Sequence, residues 1–185
     1  MLFFSLFFVL VVVIFFWIVL VYNNLVGLKI RSENAWSDID VQLKRRYDLI
    51  PNLVETVKGY AQHEKNTLEA VINARAKAIG ATTIAEKGQA ENFLSGTLKS
   101  LFAVAEGYPQ LRANENFLQL QSTLNEIEDN IQSARRYYNA VVRDYNTKLE
   151  VFPNNIIANI FSFKKRDFFQ LDVSEEERKA PQVKF

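Results

Sequence analysis

Residues 2–22 read LFFSLFFVLVVVIFFWIVLVY, and this run decides how the chain is arranged. Between Leu2 and Val21 it contains no charged side chain, and Ser5 supplies the only polar one. A helix needs about 20 apolar residues to cross a hydrocarbon core of roughly 30 Å. Trp17 and Tyr22 lie near its end, where such rings favour the headgroup layer. The run therefore predicts a membrane anchor at residues 1–22, marked by Leu2, Phe3, Phe4, Phe7, Phe8, Phe15, Phe16 and Trp17.

A cleaved signal peptide is the alternative for this run. Such a peptide has a charged start, an apolar core of about 7–15 residues and a cleavage site built from small residues. Here no Lys or Arg precedes the run, and residues 21–24 (VYNN) do not form a small-residue site. The sequence therefore favours a retained anchor.

Basic residues predict the orientation of the anchor. None precedes the run, whereas Lys29 and Arg31 follow it closely. Because cytoplasmic flanks carry an excess of Lys and Arg, we expect a short external N-terminus and a cytoplasmic C-terminal part. The chain has no cysteine, so the redox compartment cannot be inferred from it.

The remaining chain has apolar residues at helical spacing, which predicts long helices. The clearest stripe is Phe117, Leu120, Leu124, Ile127, Ile131, Ala134, Tyr138, Val141 and Tyr145. Turn residues at 48–51, 80–88, 107–109 and 152–155 separate helices near 23–47, 50–79, 87–106 and 113–151. We predict an all-α fold: an N-terminal transmembrane helix, then an antiparallel four-helix bundle with long helices at 23–152. The last segment, 153–185, is expected to be mobile from residue 174 onwards.

Pro51 leaves a second topology open. The favoured prediction is a helical hairpin that breaks before Pro51, since proline suits the first turn of a helix. The alternative is one kinked helix over residues 23–79, because the apolar stripe keeps its phase across Pro51. The hairpin returns the segment after residue 155 to the lipid surface, where its aromatic and basic residues would suit the interface. The candidate membrane-surface residues are Phe161, Phe163, Lys164, Lys165, Arg166, Phe168 and Phe169. Alternatively, these phenylalanines pack back onto the bundle.

The sequence offers no arrangement of residues typical of an active site. His63-Glu64 lacks the second histidine of a zinc protease helix, because position 67 is Thr67. Glu126, Glu128 and Asp129 are predicted to lie on a solvated face. We therefore predict no catalytic residue, metal or cofactor. The net charge of +1 gives no reason to expect nucleic acid as a partner.

Charged residues of the predicted bundle are candidates for an interaction surface. Residue 45 would lie about 35 Å beyond the anchor along a straight helix, and the Debye length is only about 8 Å. The basic run 44–46 is therefore not expected to meet lipid. We expect it to pair with acidic residues of the bundle or to meet a protein partner, and the alternative is a solvated face with a few weak ion pairs. Glu64 and Arg75 fall on the apolar stripe and should be paired if buried. The candidate interaction residues are Lys44, Arg45, Arg46, His63, Glu64, Arg135 and Arg136.

Two blocks of sequence resemble the LemA family. The first is AWSDIDVQLKRRYDLIPNLV (35–54), continued by TVKGYA (56–61) and HE (63–64). The second includes AVAE (103–106), YP (108–109), NF (116–117), LQ (120–121), ARRYYN (134–139), YN (145–146) and FP (152–153). The endings FF (168–169) and APQVKF (180–185) are similar as well.

The resemblance implies a bacterial inner-membrane protein with one N-terminal span and a cytoplasmic helical domain. It implies no catalytic residues, because none is known for the family. Some members are encoded beside membrane metalloproteases, and one branch is linked to magnetosome membranes. We therefore expect a non-enzymatic scaffold or adaptor that binds itself, the lipid bilayer or other membrane proteins such as a membrane metalloprotease. The alternatives are a lipid-surface sensor, a regulator of a membrane protease and an enzyme with a carboxylate site.

Overall fold

The computed structural model describes residues 2–170, except for the side chain of Leu2. The expected mobility of residues 174–185 and the anchor role of the Leu2 side chain lie outside the described residues. Six helices are present in the described part: α1 (Leu2–Lys58), α2 (Lys65–Gly80), α3 (Ile84–Ala105), α4 (Pro109–Arg112), α5 (Glu115–Glu150) and α6 (Asn154–Ile160). The all-α fold with a long apolar N-terminal helix is confirmed. The antiparallel four-helix arrangement stays a prediction.

The chain forms two compact units, which share the long helices α1 and α5. The described residues of unit 1 are 2–40 and 133–167, and those of unit 2 are 41–132 and 168–170. In unit 1, Leu25, Tyr145, Leu149 and Ala158 form a buried cluster. In unit 2, the apolar stripe predicted on α5 is buried between Phe117 and Ile131, except at Leu120, which is half-buried. Burial of these stripes supplies most of the stability of such helices.

The predicted break at Pro51 is wrong, because Pro51 lies inside α1. The chain instead turns at residues 59–64, so the alternative of one helix over residues 23–79 is also wrong. Within the turn, the amide of Ala61 donates to the Val57 carbonyl oxygen at 2.8 Å, and Ala61 is buried. The turn therefore packs against the core of unit 2. It begins at residue 59, eight residues after Pro51.

The structure supplies a physical reason why α1 continues through Pro51. Proline has no N–H, so the carbonyl oxygen of Tyr47, four residues earlier, loses its helical donor. Nε of Arg75, from α2, donates to that oxygen at 2.8 Å. A guanidinium from the neighbouring helix thus replaces the missing amide. This contact also explains why an arginine lies on the apolar stripe of α2. The sequence predicted a charged partner for Arg75, but the partner in the structure is a main-chain oxygen.

The predicted loop at residues 80–88 is shorter than expected, because α3 begins at Ile84. The Thr83 hydroxyl accepts the Glu86 amide at 3.1 Å, and the Glu86 carboxylate accepts the Thr83 amide at 3.0 Å. This reciprocal capping box starts a helix inside the predicted loop. The amides of Thr83 and Thr82 lower the pKa of Glu86 by stabilising its carboxylate. Gly88 is consequently a buried helical residue.

The contact between Arg75 and the Tyr47 carbonyl predicts coupling between positions 75 and 51. Substitution Arg75→Met should lower the free energy of unfolding by about 1–3 kcal/mol, since a carbonyl oxygen loses its donor. In a Pro51→Ala background the new amide can donate to Tyr47, so the same substitution should cost less. Urea unfolding of the four variants in detergent micelles, followed by circular dichroism, measures the coupling. Equal losses in both backgrounds would contradict the compensation.

Candidate functional site

The first part of α1 is a largely exposed apolar surface. Of the helices in the described residues, α1 is long enough and apolar enough to cross a membrane, and none of its apolar window is buried. Phe3 is 86% exposed and Phe16 is 62% exposed. A contiguous apolar surface of this kind marks a membrane or protein interaction site. The predicted anchor residues from Phe3 to Trp17 all lie on this part of α1.

An aromatic cluster lies at the end of this apolar surface, in unit 1. The ring of Tyr22 is 4.8 Å from the ring of Phe161 and 5.8 Å from that of Phe163, between centroids. Phe163 also packs on the buried cluster that contains Leu25. The contacts bring residues 161–163, which are distant in sequence, against the end of the apolar run.

The end of α6 explains how these two phenylalanines reach Tyr22. The Phe163 amide donates to the Ala158 carbonyl oxygen at 2.9 Å, and the Ser162 amide donates to Asn159 at 3.1 Å. Ser162 has φ of 55°, in the left-handed region. This pair of bonds is a Schellman motif, here with serine at the position that glycine usually occupies. The motif reverses the chain, and so it directs Phe163 back towards α1.

Three side chains of α5 hold the extended main chain at residues 164–167. The bonds run from Tyr145 Oη to Lys164 O (3.1 Å), from Asn146 Nδ2 to Arg166 O (2.9 Å) and from Tyr138 Oη to Asp167 O (2.9 Å). The order of the partners shows that the segment runs antiparallel to α5. Burial raises the pKa values of Tyr138 and Tyr145, so both stay neutral donors at physiological pH. The position of the segment depends on main-chain contacts, which its sequence does not reveal.

The structure separates the predicted membrane-surface residues into exposed and buried groups. Phe161 is 49% exposed and Phe168 is 39% exposed. The three cations between these phenylalanines in the sequence are all in unit 1: Lys164 is exposed, Lys165 pairs with Glu150, and Arg166 pairs with Glu33.

Phe169 differs from the other predicted membrane-surface residues, because its side chain is fully buried in unit 2. It lies beside Gly88, where a Cβ atom would overlap the carbonyl oxygen of Gln170. The absence of a side chain at Gly88 therefore makes room for this segment, and Phe169 acts as a core residue. Phe169 therefore packs back onto the helices, as the alternative prediction for these phenylalanines states.

A second candidate site is a buried polar cluster in unit 2, which we call the Arg46 cluster. It consists of Arg46, Tyr47, Glu91, Ser95 and Glu128. Arg46 donates to Glu128 at 2.9 Å and to Ser95 at 2.6 Å, and its Nη1 lies 3.5 Å from the Glu91 carboxylate. Tyr47 donates to the other Glu91 oxygen. Arg46 and Glu91 are each only 2% exposed, so they form a buried ion pair.

Two opposing effects set the charge of Glu91. Burial raises its pKa above the ordinary value of 4.5, and the hydrogen bond from Tyr47 and the charge of Arg46 only partly offset this effect. Within the described residues, Arg46 Nε and Glu91 Oε2 have no hydrogen-bond partner. The cluster is therefore not fully satisfied, which makes it expensive to bury. Glu91 was not identified as a site residue from the sequence. The position of Glu91 on the buried face of α3 was the signal that could have identified it.

The other candidate interaction residues do not converge on one site. Lys44 and Arg45 are exposed, whereas their neighbour Arg46 is buried, so the basic run is split between surface and core. His63 is exposed, and Glu64 accepts a hydrogen bond from Tyr108 at 3.2 Å. Arg135 is half-buried and Arg136 is exposed. No group of three or more metal-ligating side chains occurs among residues 2–170.

The raised pKa of Glu91 predicts a pH dependence of stability. The folded state holds the Glu91 proton more tightly than the unfolded state, so the contribution of Glu91 to the free energy of unfolding should fall as pH rises from about 4.5 through the folded pKa. Glu91→Gln keeps the oxygen that accepts from Tyr47 and removes the ionisation, so this decline should disappear. Thermal unfolding between pH 4 and 8 in detergent micelles measures the effect. Glu126→Gln, at an exposed position, is the control and should keep the wild-type decline.

Comparison of the sequence with known proteins identifies a family. The model of the LemA family matches residues 35–185. Protein LemA of Metamycoplasma hominis is 28% identical over 186 residues. The alignment covers 95% of this chain and 84% of that protein. Magnetosome protein MamQ 2 of Paramagnetospirillum magneticum is 26% identical over 175 residues. Magnetosome protein MamQ of Magnetospirillum gryphiswaldense is 27% identical over 174 residues.

The extent of these matches defines what they show. The alignments with the two magnetosome proteins each cover 80% of this chain and 64% of the relative. This chain therefore spans slightly less than two thirds of the length of those proteins. The family model, in contrast, matches nearly all of the chain after the exposed apolar part of α1. Together these findings show that the chain is a membrane-associated protein and that it belongs to the LemA family.

Proposed function

We propose that this protein is a non-enzymatic, membrane-tethered scaffold in which unit 2 associates with a second copy of the chain. The observation that carries the proposal is an open groove of about 420 Å³ between the end of α1 and α2. The buried residues Val54 and Leu68 form its apolar floor, and Ile72 at its edge is 50% exposed. A partner that covers this groove would bury the apolar edge at Ile72 and the apolar floor, which is favourable.

The charges around this groove favour a second copy as its occupant. Glu55 and Lys58 flank it on α1, and Lys65 and Glu69 flank it on α2. The rim therefore carries equal numbers of acidic and basic groups. In a two-fold dimer the same patch faces itself, so a residue of one copy meets a different residue of the other. A rim with both signs can pair with itself in that arrangement, whereas a rim of one sign would repel itself.

Tethering supports self-association of modest intrinsic affinity. An anchor at residues 1–22 would confine all copies to one membrane plane and raise their effective concentration without any new contact. Several copies joined in this way would present many equivalent helical surfaces to other membrane proteins. The magnetosome names of two relatives are consistent with work at a membrane. Binding of a different protein, such as a membrane metalloprotease, is the competing outcome.

The test uses the fact that the chain has no cysteine. Gln62→Cys places one thiol in the groove, and Ser122→Cys places one at an exposed position on α5 as the control. In native membranes, a short bismaleimide should crosslink the Gln62→Cys protein to a dimer several times more efficiently than the Ser122→Cys protein. Adding Ile72→Asp should reduce the dimer to the control level, because a charge then replaces the apolar edge.

Three results would overturn self-association at this groove. The first is fully labelled Gln62→Cys protein that stays monomeric. The second is an equal dimer yield at both positions. The third is a Gln62→Cys crosslink to another protein, identified by mass spectrometry, without a dimer.

We also propose that the helical domain lies in the cytoplasm. The support is the pair of cations Lys29 and Arg31, which follow the apolar run closely. The Gln62→Cys thiol should then react with a membrane-impermeant maleimide only after spheroplasts are permeabilised. Labelling of intact spheroplasts at the same rate would place the domain outside and refute the proposed orientation.

A further inference from the structure

A small pocket of about 210 Å³ lies in unit 1 at the end of the apolar part of α1. We call it the juxtamembrane pocket. Its apolar wall comes from α1 and consists of Trp17, Leu20, Val21 and Leu25. Its polar lining residues are Asn24 of α1, Lys148 of α5 and Asn154 of α6. We call these two sets of lining residues the apolar half and the polar half of the pocket.

The order of the residues along α1 aligns these halves with a bilayer. The apolar residues Trp17 and Leu20 belong to the run that contains no charge, and Asn24 comes just after it. A membrane that surrounds the run would thus place Trp17 and Leu20 at the acyl chains and Asn24 at the headgroups. Tyr22, which lies between Leu20 and Asn24 in the sequence, is in contact with Phe161. An amphiphile held at the interface would match this arrangement.

The polar half suits a phosphate. Lys148 is exposed and takes part in none of the ion pairs of the described residues, so its ammonium group is available. The amides of Asn24 and Asn154 add N–H donors on the same side. One cation with two neutral donors provides a compact site for a singly charged phosphodiester, and hydrogen bonds from a charged donor are the stronger kind.

The surroundings of the pocket are also suited to a lipid surface. In unit 1, α6 and the residues next to it expose large apolar side chains: Phe152 is 79% exposed, Ile160 is 66% exposed and Phe161 is 49% exposed. Lys164 is exposed beside them. Apolar side chains next to basic ones are typical of segments that lie in the interface of an anionic membrane.

We propose that the juxtamembrane pocket binds one anionic phospholipid from the leaflet adjoining the helical domain. Lys148, Asn24 and Asn154 hold its phosphate, and the upper part of an acyl chain lies on Trp17 and Leu20. The bound lipid would fill the space between α1, α5 and α6 and so stabilise unit 1. This proposal requires that α1 spans the membrane, but it does not depend on self-association through unit 2.

Native mass spectrometry of the full-length protein tests the proposal. After extraction from membranes into mild detergent, the protein is titrated with phosphatidylglycerol or with phosphatidylcholine. Wild-type protein should retain one phosphatidylglycerol per chain in preference to phosphatidylcholine. Lys148→Gln should weaken that retention about tenfold, the loss expected for one charge-assisted hydrogen bond. Asn24→Leu should also weaken it, because it removes a donor from the polar half.

Lys99→Gln is the matched control, since Lys99 is an exposed lysine of unit 2 and its substitution changes the net charge equally. It should leave retention of phosphatidylglycerol unchanged, and circular dichroism should show native helicity for every variant. Equal retention of the two lipids would overturn the proposal, as would an unchanged affinity of Lys148→Gln. Equally tight binding of soluble glycerol phosphate would assign the pocket to a free phosphate compound and would also overturn it. A dimer that persists in Lys148→Gln would show that the two proposals are independent.

Discussion

One helix, α1, has to suit two different surroundings, and the rest of the structure depends on this constraint. Its first part exposes apolar side chains on all faces, which is stable only against lipid or another apolar partner. From Leu25 onwards only one stripe of the same helix is apolar and buried. The change occurs without a break, since α1 continues from Leu2 to Lys58. Every other helix packs its apolar stripe in a unit to which α1 contributes.

Two arginines show how polar groups are accommodated where α1 is buried. Arg75 supplies the donor that Pro51 cannot supply, and the helix therefore continues past a residue that would otherwise leave a carbonyl oxygen unpaired. Arg46 brings Glu91 and Glu128 together from α3 and α5. A buried ion pair adds little net stability compared with apolar packing, but a wrong register would leave its charges unpaired. These two arginines therefore lie at contacts between helices and do not form an exposed basic surface.

The two proposed functional surfaces belong to different units and differ in chemistry. The groove of unit 2 has an apolar floor and a rim of both charge signs, which suits a second copy of the chain. The juxtamembrane pocket of unit 1 has an apolar wall and a cationic side, which suits an anionic lipid. Both surfaces are consistent with a protein whose work is to hold molecules at a membrane. Neither requires bond-making chemistry.

The sequence by itself determined the properties that depend on local patterns. The apolar run before Tyr22, the helical stripe on α5 and the family motifs are all encoded in consecutive residues, so they could be identified without coordinates. Only the tertiary structure decided features that depend on distant partners. The continuation of α1 through Pro51 requires Arg75, and the burial of Phe169 requires Gly88. The juxtamembrane pocket joins residues of three helices. Such contacts leave no periodic signal in the chain, because each depends on where another helix places its side chains.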